Sequence, residues 1–256
     1  MSALSFAGVS AAYGTRPVLR AVTAGFKSGA VTAIVGPNGA GKTTLFRAAL
    51  GVLPAQGEIR ILGHDLKSWS REGLARSIAY LPQGTDAHWP ITAKRLVALG
   101  RLPHRKAFAP PNAADEAAIE DALARCEAGE FADRPIDQLS AGERARVLLA
   151  RALATAAPIL MADEPAAHLD PAHQLSLMRL LKDEAHRGTA VLVTLHDLAL
   201  ASRYCDEIVV LEKGTIAAQG VPHEALDDAT LARVFAIRAL RVREGDGSAV
   251  LAWTPL

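Results

Sequence analysis

The chain has 256 residues, of which 50% are hydrophobic and 21% are charged, with 28 lysines and arginines against 27 aspartates and glutamates. This composition excludes a disordered tail, and the near-zero net charge gives no global field that would attract nucleic acid or an anionic membrane. Two cysteines, Cys126 and Cys205, are too few for a disulfide scaffold, so we expect buried thiols in a reducing compartment. The first residues, MSALSFAGVS, do not resemble a signal peptide, and no apolar run reaches the length of a membrane span, which predicts a cytoplasmic protein.

Short apolar runs, each bounded by turn or polar residues, predict buried strands along the chain. They are Val31–Val35, Ile59–Leu62, Ile78–Leu81, Ile159–Ala162, Val191–Leu195 and Ile208–Leu211. Helical patterns alternate with several of these runs. Asp115–Cys126 has one apolar face, and Pro171–Arg187 follows Asp170, a favourable N-cap. Such alternation predicts an α/β fold with a mainly parallel central sheet.

The middle and the two ends of the chain have other patterns. From about Gly84 to Ala157 there are helical stretches and almost no strand signal, with a loop rich in proline, alanine and asparagine at Ala109–Ala114. We therefore expect one domain over residues 1–256 with an inserted helical subdomain at about 84–157. The first 30 residues and the tail Leu240–Trp253 have β-strand character, and Glu244–Gly247 predicts a hairpin turn.

A glycine-rich segment after the first buried run matches the phosphate-binding pattern G-x-x-x-x-G-K-[ST]. The residues expected to bind a nucleotide are Gly36, Pro37, Asn38, Gly39, Ala40, Gly41, Lys42, Thr43 and the adjoining Thr44. Glycines let backbone N–H groups turn toward phosphate oxygens, and a helix N-terminus adds a favourable dipole. Lys42 supplies a positive charge to the outer phosphates, and the Thr43 hydroxyl is a ligand for Mg²⁺.

Two carboxylates, Asp163 and Glu164, follow the apolar run Ile159–Ala162. A carboxylate at the C-terminal end of a buried strand lies at the ligand-binding edge of an α/β sheet. We expect Asp163 to hold Mg²⁺, directly or through water, and Glu164 to polarise the attacking water.

The segment Leu139–Glu143 reads LSAGE and resembles the LSGGQ signature of ABC ATPases. Ser140 is a predicted N-cap, and its hydroxyl, Gly142 and the helix N-terminus form a second anion site. The spacing of Ser140 and Glu143 equally fits an ordinary capping box. Ala141 replaces a signature glycine, which would strain the backbone if the position needs a positive φ. Glu143 replaces glutamine, a tolerable change if its side chain does not meet phosphate.

Further elements extend this resemblance over nearly the whole chain. They are Tyr13 ahead of the glycine-rich loop, Gln83 in Leu81–Gln83, the segment Ala167–Asp170 and His196. In this family, the matching residues have defined roles. Tyr13 would stack on adenine, although a plain surface tyrosine fits as well. Gln83 would link the γ-phosphate and Mg²⁺ to the helical subdomain. Ala167–Asp170 matches the D-loop. His196 would contact the γ-phosphate and orient the attack.

The resemblance implies an ATPase that works with ATP and Mg²⁺ as a head-to-tail homodimer. Each ATP would lie between the glycine-rich loop of one subunit and Ser140 and Gly142 of the other. The expected partners are two membrane permease subunits, whose short cytoplasmic helix docks on the helical subdomain, and an external substrate-binding protein. Nucleic acid is not an expected partner. The expected location is the cytoplasmic face of the inner (plasma) membrane, as a peripheral subunit.

The segment Leu96–His104 reads LVALGRLPH and looks like a segment of ATPases that power import of iron–siderophore, haem and cobalamin complexes. Ala167–Gln174 and Gly220–Phe235 are similar to that group too. The resemblance implies import of an iron complex, either a siderophore or haem. Alternatives are cobalamin or another small solute, a non-transport ABC regulatory ATPase, or a small-molecule P-loop kinase.

Other polar residues have no such resemblance to guide them. The basic residues Arg101, His104, Arg105 and Lys106 form either a solvated loop or a surface that faces the membrane subunit or lipid head groups. His64, His88, His173, His186 and His223 lack metal-ligand spacing, and we expect them to be surface or structural residues.

Overall fold

A computed structural model describes residues 2–84, 90–106, 110–243 and 249–255. The strands are β1 (Ser2–Tyr13), β2 (Arg16–Lys27), β3 (Val31–Val35), β4 (Ala55–Ile61), β5 (His64–Asp65), β6 (Ile78–Leu81), β7 (Ile159–Asp163), β8 (Ala190–Thr194), β9 (Glu207–Glu212), β10 (Thr215–Gly220), β11 (Ile237–Arg243) and β12 (Ala249–Pro255). The α-helices are α1 (Lys42–Ala49), α2 (Arg71–Ser77), α3 (Ala93–Ala98), α4 (Ala113–Arg125), α5 (Ala141–Leu153), α6 (Pro171–His186), α7 (Leu198–Tyr204), α8 (Pro222–Ala225) and α9 (Asp228–Thr230). Short 3₁₀ segments are Leu66–Ser68, Leu99–His104, Gly129–Phe131 and Ile136–Gln138, and Leu231–Phe235 is a π-helical turn.

The central sheet has the strand order β10-β9-β3-β8-β7-β6. Neighbours from β9 to β6 are parallel, and β10 pairs with β9 in the antiparallel sense. The strands β3, β7 and β8 are buried at every residue because one apolar core lies on each face. On β3, for example, Ala33 packs into one core and Ile34 into the other. Burial on both faces explains the continuous apolar runs and confirms the predicted α/β class.

The N-terminal residues form a separate antiparallel sheet with the order β2-β1-β4-β5. It shares a core with α1 and one face of the central sheet. The apolar run at Ile59–Leu62 lies here, where the strand ends at Ile61 and Leu62 adopts φ 50° in a turn. The expected β character of the first 30 residues is confirmed.

The segment between β6 and β7 is helical. Among its described residues, β pairing is limited to one isolated bridge between Thr92 and Pro135. The helix α4 begins at Ala113, inside the stretch predicted as a loop. Asn112 explains the earlier start. Its side chain accepts a hydrogen bond from the Asp115 N–H at 2.9 Å, and the Asp115 carboxylate accepts one from the Asn112 N–H at 3.1 Å. This capping box satisfies N–H groups that the helix cannot pair itself. Ala109, the start of the predicted loop, lies outside the described residues.

At the end of the chain, β11 and β12 form a two-stranded antiparallel ladder from Ile237 opposite Pro255 to Arg243 opposite Ala249. The predicted turn at Glu244–Gly247 lies outside the described residues, as does His88. Both cysteines are buried, and burial raises the pKa of the Cys126 thiol to about 12. None of the described helices combines the length and apolar character that a bilayer crossing needs.

Candidate nucleotide site

The glycine-rich loop connects β3 to α1 and requires glycine at two close approaches. A Cβ atom on Gly36 would lie 2.2 Å from the carbonyl oxygen of Leu211 on β9. Gly41 caps α1 in the left-handed region at φ 110°, where a Cβ atom would lie 2.9 Å from Cδ2 of Leu19. The loop therefore curls tightly over the end of the sheet. The first N–H groups of α1 have no partner within the helix and point toward the loop, which is the arrangement that binds phosphate.

Lys42, the first residue of α1, is 6% exposed. Its Nζ donates a hydrogen bond to the carbonyl oxygen of Gly36 at 3.0 Å, so the ammonium group lies within the loop. Burial lowers the pKa of the Lys42 amine, and the nearby carboxylates of Glu164 and Asp163 act in the opposite direction. A charged amine in this position compensates negative charge on a bound phosphate.

The positions of the two acids, Asp163 and Glu164, are set by the register between β7 and β8. Asp163, which is 1% exposed, ends β7 directly beside Thr194, the last residue of β8. The Thr194 hydroxyl donates to Asp163 Oδ1 at 2.7 Å and accepts the backbone N–H of Glu164 at 2.7 Å. Glu164 itself has φ 49°. Thr194 thus fixes the side chain of one acid and the backbone of the next.

Sequence reasoning missed Thr194. The available signal was a hydroxyl at the last position of an apolar strand next to the strand that ends in Asp163. It also missed Tyr80 on β6, whose hydroxyl donates to Asp163 Oδ2 at 3.4 Å. Burial, followed by the nearby Asp163, raises the pKa of Tyr80 to about 12, so its proton stays in place at neutral pH.

Glu164 brings together the three residues predicted to be catalytic. Its Oε2 lies 2.5 Å from Nε2 of Gln83, and its Oε1 lies 2.5 Å from Nε2 of His196. Gln83 follows β6 and His196 follows β8, so the three side chains meet beyond the C-terminal ends of adjacent parallel strands. The Glu164 side chain is 12% exposed and that of His196 is 48% exposed, which leaves the cluster open to solvent on one side.

Tyr13 ends β1 and lies beside α1. Its hydroxyl accepts a hydrogen bond from Nη1 of Arg47 at 3.0 Å, and the residue is 42% exposed. This contact raises the pKa of Arg47. The ring is therefore anchored next to the helix that begins at the glycine-rich loop, with part of its surface accessible.

The signature segment forms a capping box at the start of α5. Ser140 Oγ accepts the Glu143 N–H at 3.3 Å, and Glu143 Oε2 accepts the Ser140 N–H at 2.7 Å. The second Glu143 oxygen meets Nη1 of Arg134 at 3.1 Å. These contacts, led by the Ser140 N–H, lower the pKa of Glu143. Ala141 is the first helical residue and has no positive φ, so it carries no backbone strain.

The structure does not bring the signature to the acid cluster of the same chain. Within the described residues, no hydrogen bond links Ser140 or Gly142 to Lys42, Asp163 or Glu164. The signature instead lies on α5, in the helical part of the fold, with Ser140 exposed.

Arg101, the first residue of the basic segment after α3, is buried and has a structural role. It lies neither in a solvated loop nor on a surface that faces a membrane subunit or lipid, so both predictions for it are wrong. The Arg101 side chain is 10% exposed, with Nε 3.0 Å from Asp115 Oδ1 and Nη1 2.8 Å from the carbonyl oxygen of Ala154. His104 Nε2 lies 2.8 Å from the carbonyl oxygen of Thr155. Both residues bind carbonyl groups at the C-terminal end of α5, where the helix has no partners of its own. Lys106 is exposed.

The donor set fits ATP with Mg²⁺. The glycine-rich loop is a cradle that Cβ atoms at two positions would fill, and Lys42 supplies the cation. The buried carboxylate of Asp163, with one oxygen already held by Thr194, is a hard oxygen donor of the type that Mg²⁺ prefers. The Thr43 hydroxyl and the amide oxygen of Gln83 are of the same type.

Comparisons with known proteins agree with this geometry. The family model described as ABC transporter matches residues 19–167. The hemin import ATP-binding protein HmuV of Streptomyces coelicolor is 45% identical over 231 residues, which cover 89% of this chain and 81% of that protein. The cobalamin import ATP-binding protein BtuD of Halobacterium salinarum is 41% identical over 227 residues, covering 88% of this chain and 56% of that protein.

Solved structures show the same fold. An inward-facing metal-chelate type ABC transporter superposes with a TM-score of 0.86 at 25% identity, covering 100% of this chain and 98% of that chain. The dimeric, post-hydrolysis structure of the ATP-binding cassette MJ0796 bound to ADP and Pi has a TM-score of 0.73 at 27% identity, covering 86% and 98%. This chain therefore belongs to the ABC transporter family and is one of its ATP-hydrolysing cassettes.

Proposed function

We propose that this chain is the ATPase subunit that powers import of haem or another iron complex through a separate membrane permease. The observation that carries the ATPase half is the convergence of Gln83 and His196 on the carboxylate of Glu164, at the edge of the sheet that holds the glycine-rich loop. The import half is supported by the 45% identity to a hemin import ATP-binding protein and by the likeness to a metal-chelate type transporter.

In the proposed reaction, the loop amides and Lys42 bind the phosphates, and Tyr13 stacks on the adenine. Glu164 accepts a proton from the attacking water as the water adds to the γ-phosphorus and the bond from that phosphorus to the bridging oxygen of ADP breaks, which gives ADP and phosphate. His196 contacts the γ-phosphate and orients the attack. Gln83 couples the γ-phosphate to the helical part of the fold. Thr43, Asp163 and Gln83 would hold Mg²⁺, which would supply charge compensation to the phosphates.

The second half of each site comes from a second copy of the chain. Ser140 is exposed at the start of α5 and makes no hydrogen bond to the acid cluster of its own chain within the described residues. Its hydroxyl and the N–H of Gly142 lie at a helix N-terminus, which favours an anion. We assign these groups to the γ-phosphate held by the partner, so that ATP closes a head-to-tail homodimer and phosphate release opens it.

We assign the docking site for the permease to a groove between the core and the helical part of the fold, which has a volume of about 1070 Å³. Its lining includes Val52, Trp69, Leu99, Pro103 and Arg151. Val52 is 72% exposed and Leu99 is 42% exposed, so the groove offers apolar surface to a partner. We further propose that the docked chain lies at the cytoplasmic face of the inner membrane and that an external protein delivers the cargo.

The test is transport by the assembled system. The chain and the membrane subunits that copurify with it are reconstituted in vesicles, and ATP-dependent uptake is measured for hemin, a ferric siderophore and cobalamin. We expect hemin or the ferric siderophore to be taken up, and the Glu164→Gln variant to abolish uptake. Uptake of cobalamin alone would replace the iron assignment with the second candidate, which the 41% identity to a cobalamin import protein favours.

A further inference from the structure

Gly142, in the signature, is packed against a histidine from another helix. A Cβ atom built on Gly142 would lie 2.0 Å from Cδ2 and 2.3 Å from Nε2 of His173, which are impossible separations. Gly142 does not have a positive φ, so the backbone does not demand glycine there. The absence of a side chain at this position therefore makes room for the imidazole ring of His173.

His173 belongs to the first turn of α6, which also holds the preceding D-loop, Ala167–Asp170, and the residue before it, Ala166. Asp170 caps α6: its Oδ1 accepts the His173 N–H at 3.0 Å, and its Oδ2 lies 2.7 Å from His173 Nδ1. The next residue, Gln174, donates from Nε2 to the carbonyl oxygen of Ala166 at 3.2 Å. The first turn of α6 thus fixes the D-loop at both ends.

The contact between the two helices continues one turn further. Nη2 of Arg146, four residues after Gly142, lies 3.3 Å from Oγ of Ser176, three residues after His173. The starts of α5 and α6 therefore lie side by side and run in the same direction. Two contacts join them: the His173 ring packs against Gly142, and Arg146 contacts Ser176. This pairing gives the starts of the signature helix and of the D-loop helix a fixed relative position.

We infer that His173 is a positioning residue that locks the signature start, Ser140–Gly142, to the D-loop, so that both meet the partner's nucleotide as one unit. The imidazole ring fills the space over Gly142 while Nδ1 is held by Asp170. The consequence for turnover rests on the proposed dimer, whereas the packing itself does not.

The experiment is a suppressor test with Gly142→Ala, His173→Ala and the double variant, each measured for ATP turnover and for unfolding temperature. We expect Gly142→Ala to lower turnover by about tenfold and to lower the unfolding temperature, because the added methyl group meets the ring. Adding His173→Ala removes the obstacle and restores both values to those of His173→Ala alone. For that single variant we expect a several-fold lower kcat with KM for ATP nearly unchanged, since the Lys42 side of the site is intact.

Three controls test the specificity of the suppression. His173→Phe keeps a ring over Gly142, so it should not rescue Gly142→Ala. Gly100→Ala is equally crowded, with a Cβ 2.1 Å from the carbonyl oxygen of Arg151, and should not respond to His173→Ala. Gly129→Ala adds its methyl group to open space and should be neutral.

Failure of His173→Ala to suppress Gly142→Ala, or equal suppression of Gly100→Ala, would overturn the inference. Recovery of the unfolding temperature with no change in turnover would also overturn the positioning role. Neither result depends on which solute is transported, so a failure here is distinguishable from a failure of the transport assay.

Discussion

Nε2 of His196 lies 2.5 Å from Oε1 of Glu164, and the other carboxylate oxygen is 2.5 Å from Nε2 of Gln83. The carboxylate that would accept a proton from water is thus held between two side chains that come from the ends of other strands. The orientation of the Glu164 carboxylate is therefore set by Gln83 and His196 as well as by the backbone of Glu164.

This arrangement predicts that Glu164→Gln separates binding from turnover. The amide keeps the size of the side chain but cannot accept a proton, so we expect kcat to fall by about 10²-fold or more. Nucleotide affinity should be retained because Lys42 and the loop are unchanged. Phosphate release and nucleotide titration measure the two quantities, and gel filtration with ATP should show a trapped dimer.

The matched control is Glu120→Gln, an exposed carboxylate on α4 that pairs with Lys94. It should leave turnover unchanged. Near-normal hydrolysis by Glu164→Gln would remove Glu164 from the role of principal base.

Thr194→Val should lower turnover through two buried groups at once. The valine leaves the Glu164 N–H and Asp163 Oδ1 without the hydroxyl that each now contacts at 2.7 Å. Buried unsatisfied groups cost about 1–3 kcal/mol, so we expect both a lower free energy of unfolding and a kcat reduced by about tenfold. Steady-state kinetics at saturating ATP and Mg²⁺ and denaturant unfolding are the measurements.

Two variants sharpen this test. Thr194→Ser keeps the hydroxyl and should retain most of the activity, while Thr32→Val makes the same chemical change at a buried position on β3. If Thr32→Val lowered kcat as much as Thr194→Val, the effect would be a general one of strand packing.

For Tyr13, the ring and the hydroxyl make separable contributions. Stacking of a base on an aromatic ring is worth about 1–3 kcal/mol, so Tyr13→Ala should raise KM for ATP by about tenfold. Tyr13→Phe keeps the ring and removes only the contact with Arg47, so its KM should stay near that of the parent chain. Equal KM values for the alanine variant and the parent would leave Tyr13 as a surface residue.

The buried pair Arg101 and Asp115 predicts a pH-dependent effect on stability. The Asn112 N–H, and then Arg101, hold the pKa of Asp115 below its ordinary value of 3.8. A carboxyl whose pKa is lowered on folding stabilises the native state above the unfolded pKa, and this stabilisation is lost as the pH falls through the folded value. Arg101→Ala should therefore lower Tm by about 5–10 °C near neutral pH and by less in acid.

Thermal unfolding over a pH series measures this difference. Lys106→Ala, which removes an exposed cation from the same segment, is the control and should not change Tm. A loss of stability in Arg101→Ala that is the same at all pH values would assign the effect to packing of the arginine stem rather than to charge.

The elements that sequence patterns predicted well are those set by local rules. Glycines before Lys42 and Thr43 follow from the shape of a phosphate loop, and continuous apolar runs follow from a sheet buried on both faces. The capping box of Ser140 and Glu143 was one of two interpretations of the signature, and the structure contains it. A helix cap and an anion site use the same helix N-terminus, so the two interpretations are compatible.

What the sequence did not predict depends on contacts between distant segments. Thr194 acquires a role only when β8 is aligned with β7, and the burial of Arg101 becomes visible only when the end of α5 lies beside it. His173 was expected to be a surface or structural residue, and its contact with Gly142 becomes visible only when α6 is placed against α5. Register and helix packing are set by the whole core, which no local pattern encodes.

The helix α5 has different attachments at its two ends. Arg101 and His104 bind the carbonyl groups of Ala154 and Thr155, beside the groove assigned to the permease, while Ser140 begins the helix at its other end. With 13 residues, α5 is a rod about 20 Å long. If the permease docks in this groove, we expect a displacement there to move Ser140 at the other end of the helix, because α5 would tilt as a rigid body.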